Sequence, residues 1–175
     1  MINWSFDSNE YNPDGHFTPI PAGDYRVRIE EAEETQSKAG DPMIKLTLAV
    51  SGMKKTLWFY LVFPTNANDP KYATKKMMCN QNLGSIWESF NLTVGDMNVL
   101  NWRGKVGAAR VKQELNKERG EMVNAVSYFL TRKRQESLAP WKEPEGGAAT
   151  SPAPAAQMGD YGSLRDEQGN VNLPF

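Results

Sequence analysis

The stretch Met43-Ile-Lys-Leu-Thr-Leu-Ala-Val-Ser-Gly-Met-Lys-Lys-Thr-Leu-Trp-Phe-Tyr-Leu-Val-Phe63 reads as two strands joined by a turn. Ile44, Leu46 and Leu48 alternate with Lys45 and Thr47, a period of two that sets one face on a core and the other in solvent. Ser51-Gly52 leads into a segment from Lys55 to Phe63 that is apolar on both faces, with Leu57, Phe59 and Leu61 on one and Trp58 and Tyr60 on the other. Upstream, Tyr25, Val27 and Ile29 alternate with Arg26, Arg28 and Glu30, which predicts a strand from Gly23 to about Ala32. The turn residues Ser37, Gly40, Asp41 and Pro42 stop it. Downstream, Cys79, Leu83, Ile86, Trp87 and Phe90 recur at helical spacing and predict a helix over Tyr72 to Phe90. Two further strands, Lys105 to Glu114 and Glu121 to Leu130, flank a polar hairpin loop running from Leu115 to Gly120. Val106 and Ala108 share one phase and Val111 the other, so a bulge or sharp bend is expected around Ala108-Ala109.

Three strands, a helix and two strands is the order of elements in the OB-fold, a partly open five-stranded Greek-key barrel. The expected architecture is therefore mainly β, with one helix between strands three and four. The domain should span 1–142, with an N-terminal extension over 1–22. From Glu143 the composition turns small, Pro-rich and aperiodic, as in Glu143-Pro-Glu-Gly-Gly-Ala-Ala-Thr-Ser-Pro-Ala-Pro-Ala-Ala-Gln157. Such a stretch cannot bury enough surface to offset its chain entropy, so 143–170 is expected to be a disordered linker that leads to an apolar tip at 171–175.

The 175 residues carry a net charge of -1, which conceals a strong asymmetry. Residues 1–41 hold 3 basic and 9 acidic side chains, residues 42–142 hold 16 and 7, and residues 143–175 hold 1 and 5. The block charges of -6, +9 and -4 place a cationic middle between acidic ends, and binding to a polyanion responds to that local field. One cysteine, Cys79, and one histidine, His16, leave disulfides, cysteine-rich zinc sites and most His-based catalysis without parts. Cys79 belongs to the helix's apolar stripe, and His16 sits in the turn Asn12-Pro-Asp-Gly-His. The acids Glu30, Glu31, Glu33 and Glu34 invite a metal-dependent nuclease reading, but strand alternation should send them to different faces. There is no phosphate-cradling glycine loop, and neither a cofactor nor a metal is expected. No apolar run approaches the ~18 residues of a membrane span, and the first residues lack the pattern of a signal peptide, so the expectation is a soluble, cytoplasmic protein without a membrane partner.

A sequence-tolerant single-strand binder needs cations along the backbone path and flat side chains on which bases stack. Trp58 and Tyr60 fit the second requirement if Leu57, Phe59 and Leu61 fill the barrel; Lys45, Thr47, Arg26 and Arg28 would then stand beside them. The alternative is that both rings are buried, beneath an N-terminal segment that carries Trp4, Phe6 and Tyr11. Candidate cations are Lys54 and Lys55 before strand three, Arg103 and Lys105 entering strand four, Arg110 and Lys112 along it, and Lys117 and Arg119 in the last loop. Trp102 could stack a base or plug the end of the barrel. Arg132-Lys-Arg134 reads as a solvated terminus unless the groove runs past it.

Two resemblances add to this. Pro21-Ala-Gly-Asp-Tyr-Arg-Val-Arg-Ile-Glu-Glu-Ala-Glu33, followed by Ser37-Lys-Ala-Gly-Asp-Pro-Met-Ile-Lys-Leu-Thr-Leu48, resembles a family of small bacteriophage proteins of unknown function, usually encoded beside phage replication genes. That resemblance spans roughly residues 19–130 and implies a fold and a setting, with no catalytic residue to transfer. The sequence Asp166-Glu-Gln-Gly-Asn-Val-Asn-Leu-Pro-Phe175 resembles the tip of bacterial and phage single-stranded DNA-binding proteins, where acids precede an apolar end that partner proteins recognise. Asn170 and Asn172 stand where that family usually has further acids. The resemblance implies that Asp166, Glu167, Val171, Leu173, Pro174 and Phe175 recruit phage or host replication or recombination proteins. The resulting expectation is a non-enzymatic protein that coats single-stranded DNA in phage replication or recombination, in the host cytoplasm. Its rivals are a protein-binding adaptor on the same fold and, last, an enzyme with chemistry the sequence does not display.

Overall fold

Alternating apolar residues carry the chain through β1 (Gly23–Gln36), β2 (Pro42–Val50) and β3 (Thr56–Val62). The helix α1 (Tyr72–Ser89) follows, and then a single 3-10 turn over Val99–Trp102. The strands β4 (Val106–Asn116) and β5 (Glu121–Phe129) and a short helix, α2 (Arg132–Gln135), complete the order. These elements come from a computed structural model that describes residues 2–9, 11 and 18–144. His16, the expected linker from 145 onward and the tip, including Asp166, Glu167, Val171, Leu173, Pro174 and Phe175, lie outside the described residues, whereas Glu143, expected as the start of the linker, is held by Arg28 and Trp141.

The five strands form one sheet in the order β3-β2-β1-β4-β5, and every hydrogen-bonded pair is antiparallel. Two antiparallel steps separate β1 from β3, and two more separate it from β5, so the terminal strands β3 and β5 run parallel. Their Cα atoms approach within 8 Å. Phe59 of β3 meets Phe129 of β5 edge-on, with ring centroids 5.0 Å apart, a favourable aromatic geometry. The sheet thus curls until its two edges face each other across a seam.

The enclosed face carries Val27, Ile29, Leu46, Leu48, Leu57 and Leu61, all buried, as the alternation predicts. α1 lays Cys79, Leu83 and Ile86 on this core, and Phe90 just past its end reaches Phe129 at 5.5 Å. Burial pushes the Cys79 thiol pKa up, which keeps it protonated and suits a packed rather than a reactive cysteine. Where α1 ends, Gly107 is required by contact: a Cβ there would stand 2.8 Å from Phe90 and 2.9 Å from the Ser89 carbonyl oxygen.

Several boundaries differ from expectation. β1 continues four residues past Ala32, because its partner β2 pairs with it as far as Gln36↔Pro42. The bulge expected around Ala108-Ala109 falls just past them, between Arg110 and Val111 of the β4–β5 pair. Both alanines are fully buried, but only Ala109 joins the main core cluster. Ala108 lies against the start of the segment leaving β5, with its carbonyl accepting from the Leu130 N–H at 2.9 Å and from Ser89 Oγ at 3.0 Å. A second bulge, between Ile29 and Glu31, had no counterpart in the sequence reading.

The chain beyond β5 packs back on the sheet. Gln135 is buried, and its side-chain amide donates to the Ser89 carbonyl, Ser89 Oγ and the Leu130 carbonyl at 2.9–3.0 Å. Its Oε1 accepts from Arg26 at 2.9 Å, so every polar atom of this buried side chain is used. Further along, Gly52 N–H donates to the Lys142 carbonyl at 2.8 Å, and Lys142 N–H to Ser51 Oγ at 2.9 Å. Among the described residues no helix is long and apolar enough to cross a membrane.

Candidate nucleic-acid interface

β3 alternates about Phe59, and its outer face exposes Trp58 and Tyr60 at 54% and 53%. The reading that buried both rings under the N-terminal segment is therefore overturned: Trp4, Phe6 and Tyr11 are exposed as well. At the start of β3, Trp58 lines a groove of about 390 Å³ with Lys54, Lys55, Thr56, Leu57, Arg119, Val123 and Asn124. Since Thr56 to Trp58 belong to β3 and Val123 and Asn124 to β5, this groove is one end of the seam. The turn before β3 and the β4–β5 hairpin supply its cations. Lys55 donates to the Thr18 carbonyl at 3.3 Å, and Asn124 accepts from the Ile20 N–H at 2.8 Å, so the chain entering β1 forms the groove's rim.

Cross-strand register decides what stands beside the aromatic pair. Trp58 lies opposite Thr47 and Tyr60 opposite Lys45, as the alternation implies. The next row, however, is Glu31 opposite Thr47 and Glu33 opposite Lys45. Arg26 and Arg28 do not flank the rings: Arg28 stands opposite Ala49, whose partner on β3 is Thr56, and Arg26 lies beyond the last β1–β2 pair, opposite Ala108 of β4. The bulge between Ile29 and Glu31 leaves the adjacent Glu30 and Glu31 both exposed, where plain alternation would have separated them. Among the described residues no group of acids, histidine and cysteine is arranged to hold a metal ion.

The displaced arginines have structural partners. Arg26 donates to Gln135 Oε1, and also to the carbonyls of Ala139 at 3.1 Å, Gln135 at 3.0 Å and Leu138 at 3.3 Å, clamping the chain after α2. Desolvation, followed by the neighbouring charge of Arg132, lowers its pKa. Arg28 bridges Glu30 and Glu143, each at 2.6 Å, and stacks over Trp141 at 4.5 Å. Desolvation pulls the Arg28 pKa down, but the hydrogen bonds it donates to Glu30 and Glu143, with their charges, outweigh it and the net shift is upward. The Glu143 carboxyl is correspondingly held below its usual range, first by the Trp141 indole N–H and then by Arg28.

Trp102 cannot stack a base. Its side chain is fully buried, and its indole N–H donates to the Asp96 carbonyl at 3.1 Å. The neighbouring Arg103 and Lys105 are exposed, but their loop is tied to the middle of β1 through Gly104 N–H to the Ile29 carbonyl at 2.7 Å. On β4, Arg110 faces Asp24 at 3.3 Å and Lys112 faces Glu114 at 2.9 Å, both in partly exposed pairs of the kind worth little to stability. Lys117 is exposed in the same hairpin turn as Arg119. The structure thus joins Lys54, Lys55, Trp58 and Arg119 at one groove, sets Tyr60 and Lys45 further along β3 and β2, and removes Arg26, Arg28 and Trp102.

Two residues at the seam, Asn124 and Tyr128, were not singled out by sequence, nor was the contact that Arg134 makes there. Asn124 reads as an ordinary polar strand residue, and its role depends on Ile20, 104 positions away. Tyr128, 40% exposed, lies one residue from the buried Phe129, just as Trp58 and Tyr60 flank Phe59. Arg134 stands over the Tyr128 ring at 5.7 Å. The alternation of Tyr128 and Phe129 was the available signal for the ring, but not for its position on the seam.

A family model described as "Protein of unknown function (DUF669)" matches residues 4–82. That stretch runs from the N-terminal segment into α1 and includes Lys54, Lys55, Trp58 and Tyr60, but neither Arg119 nor β5. No curated protein matches the chain.

Proposed function

We propose that the protein binds single-stranded DNA with little sequence preference, as a non-enzymatic factor in phage DNA replication or recombination, and that its sheet is an OB-fold barrel. Support for the fold is the element order with α1 between β3 and β4, and the parallel approach of β3 and β5 that brings the sheet's edges together. The single observation that carries the function is the exposed pair Trp58 and Tyr60 continuing from a groove bordered by Lys54, Lys55 and Arg119. Bases of any identity present a π-face, so two outward rings beside cations suit a strand without selecting its sequence.

The expected result is tight binding to oligo-dT that weakens as salt rises. Each phosphate contacted on a single strand adds about -0.7 to the slope of log affinity against log salt, so four contacts give roughly -3. Fluorescence titration at several salt concentrations measures this. A flat dependence, or equal affinity for duplex DNA, would remove the assignment in favour of an adaptor that binds protein.

The tail's part in this proposal rests on sequence alone: Asp166 and Glu167 precede Val171, Leu173, Pro174 and Phe175, apolar groups suited to a pocket on another protein. Removing 171–175 should leave oligo-dT affinity unchanged or slightly higher, and should abolish association with a replication or recombination protein in pull-downs. Loss of DNA binding with every partner retained would make the segment part of the DNA site instead.

A further inference from the structure

We infer that the strand, on the single-strand-binding reading proposed above, runs lengthwise along the β3–β5 seam and ends on a second contact formed by Tyr128 and the basic turn Arg132-Lys133-Arg134. The first argument is electrostatic. Across β2 from Trp58 and Tyr60, beyond Thr47 and Lys45, stand Glu31 and Glu33, so a phosphate chain crossing from β3 toward β1 meets carboxylates. On the other side of the rings, the seam has Lys54 and Lys55 of the turn before β3 and Arg119 of the β4–β5 hairpin at one end, and Arg134 over Tyr128, where β5 runs into the basic turn, at the other. The field therefore favours a path along the seam and opposes one across the sheet.

Stacking geometry points the same way. Phe59 and Phe129 meet inside the barrel at 5.0 Å, and their chain neighbours Trp58, Tyr60 and Tyr128 are exposed on the outer surface. Three rings thus border one seam between two cationic ends. Arg134 over Tyr128 adds a guanidinium plane, which can itself stack on bases.

The basic turn is also built into the fold rather than trailing from it. Thr131 Oγ1 caps it by accepting from the Arg134 N–H at 3.4 Å. Buried Gln135 ties its end to α1 through Ser89 and to β1 through Arg26. A solvated terminus needs no such network, whereas cations held at a fixed height beside Tyr128 extend a binding track.

The test uses the full chain, oligo-dT of increasing length within the ~4 to 16 nucleotides an OB-fold covers, and the triple variant Arg132→Gln/Lys133→Gln/Arg134→Gln. Long oligomers should bind the variant less tightly than the wild type, with a salt slope shallower by about 2 for three phosphates lost. The shortest oligomers, held at the hairpin end, should bind both alike. An unchanged slope at every length, in a variant that melts normally, overturns the inference while leaving single-strand binding in place; failure of the wild type to bind oligo-dT removes both. Should the variant not fold, photo-crosslinking of iodouracil-substituted oligo-dT to the wild type decides. Adducts at Tyr128 support the seam, and adducts confined to Trp58, Tyr60 and the face of β1 and β2 refute it.

Discussion

Trp102→Ala is expected to lower stability by about 3–5 kcal/mol, the usual cost of truncating a core aromatic ring, and to leave DNA affinity per folded molecule unchanged. The ring is fully buried and is among the largest side chains with that property in the structure. Its loss removes more than packing. Trp102 and Trp87 both donate their indole N–H to the Asp96 carbonyl, at 3.1 and 3.0 Å, so one carbonyl pins the loop between α1 and β4 to two rings. The Asp96 carboxylate accepts from the Asn101 side chain at 3.0 Å and from the Asn98 N–H at 2.9 Å, which in that order hold its pKa below the ordinary value, and these bonds set the turn that delivers Trp102. Urea unfolding measures the loss, and titration with oligo-dT scaled to the folded fraction measures affinity. A stable variant with weakened binding would return Trp102 to the list of stacking rings.

The difference between Trp102 and Trp58 shows what was legible in the sequence. Trp58 lies in a segment with a strict period of two, where Leu57, Phe59 and Leu61 define an inside and leave the alternate rings an outside. Trp102 lies in a loop, where no period relates neighbours to a face, so its burial depends on how the connection from α1 to β4 carries it into the core cluster that holds Val99 and Phe90. The faces of β2 were legible for the same reason as those of β3. The row beside Trp58 was not, because the β1–β2 register sets Arg28 opposite Ala49, and the bulge between Ile29 and Glu31, which involves no glycine or proline, then sets Glu31 and Glu33 opposite Thr47 and Lys45. Arg26 and Arg28 looked like free cations because their partners Gln135 and Glu143 are 109 and 115 positions away. Contacts at such separation follow from the closing of the sheet and from the return of the chain after β5, neither of which leaves a local pattern.

Trp58→Ala combined with Tyr60→Ala should produce the largest loss of single-strand affinity. Each base stacked on an aromatic ring is worth about 1–3 kcal/mol by alanine substitution, so each ring alone should cost roughly ten- to a hundred-fold in affinity. The two rings are two residues apart on one face of β3, close enough to share a strand's contacts, so the double variant should fall short of the product of the single losses. Both rings are about half exposed, so the variant should keep most of its stability, in contrast to Trp102→Ala. Trp58→Phe with Tyr60→Phe supplies the control, since it keeps two π-faces and should retain most of the affinity. The salt slope gives the sharper discrimination. Neither ring carries charge, so the double variant should weaken binding at every salt concentration by the same factor and leave the slope where the wild type has it. If the slope became shallower along with the affinity, the rings would be acting by positioning Lys45 or the groove's cations rather than by stacking. If affinity did not change at all in a folded double variant, the exposed face of β3 would have some other partner, and the DNA reading would lose the observation that carries it.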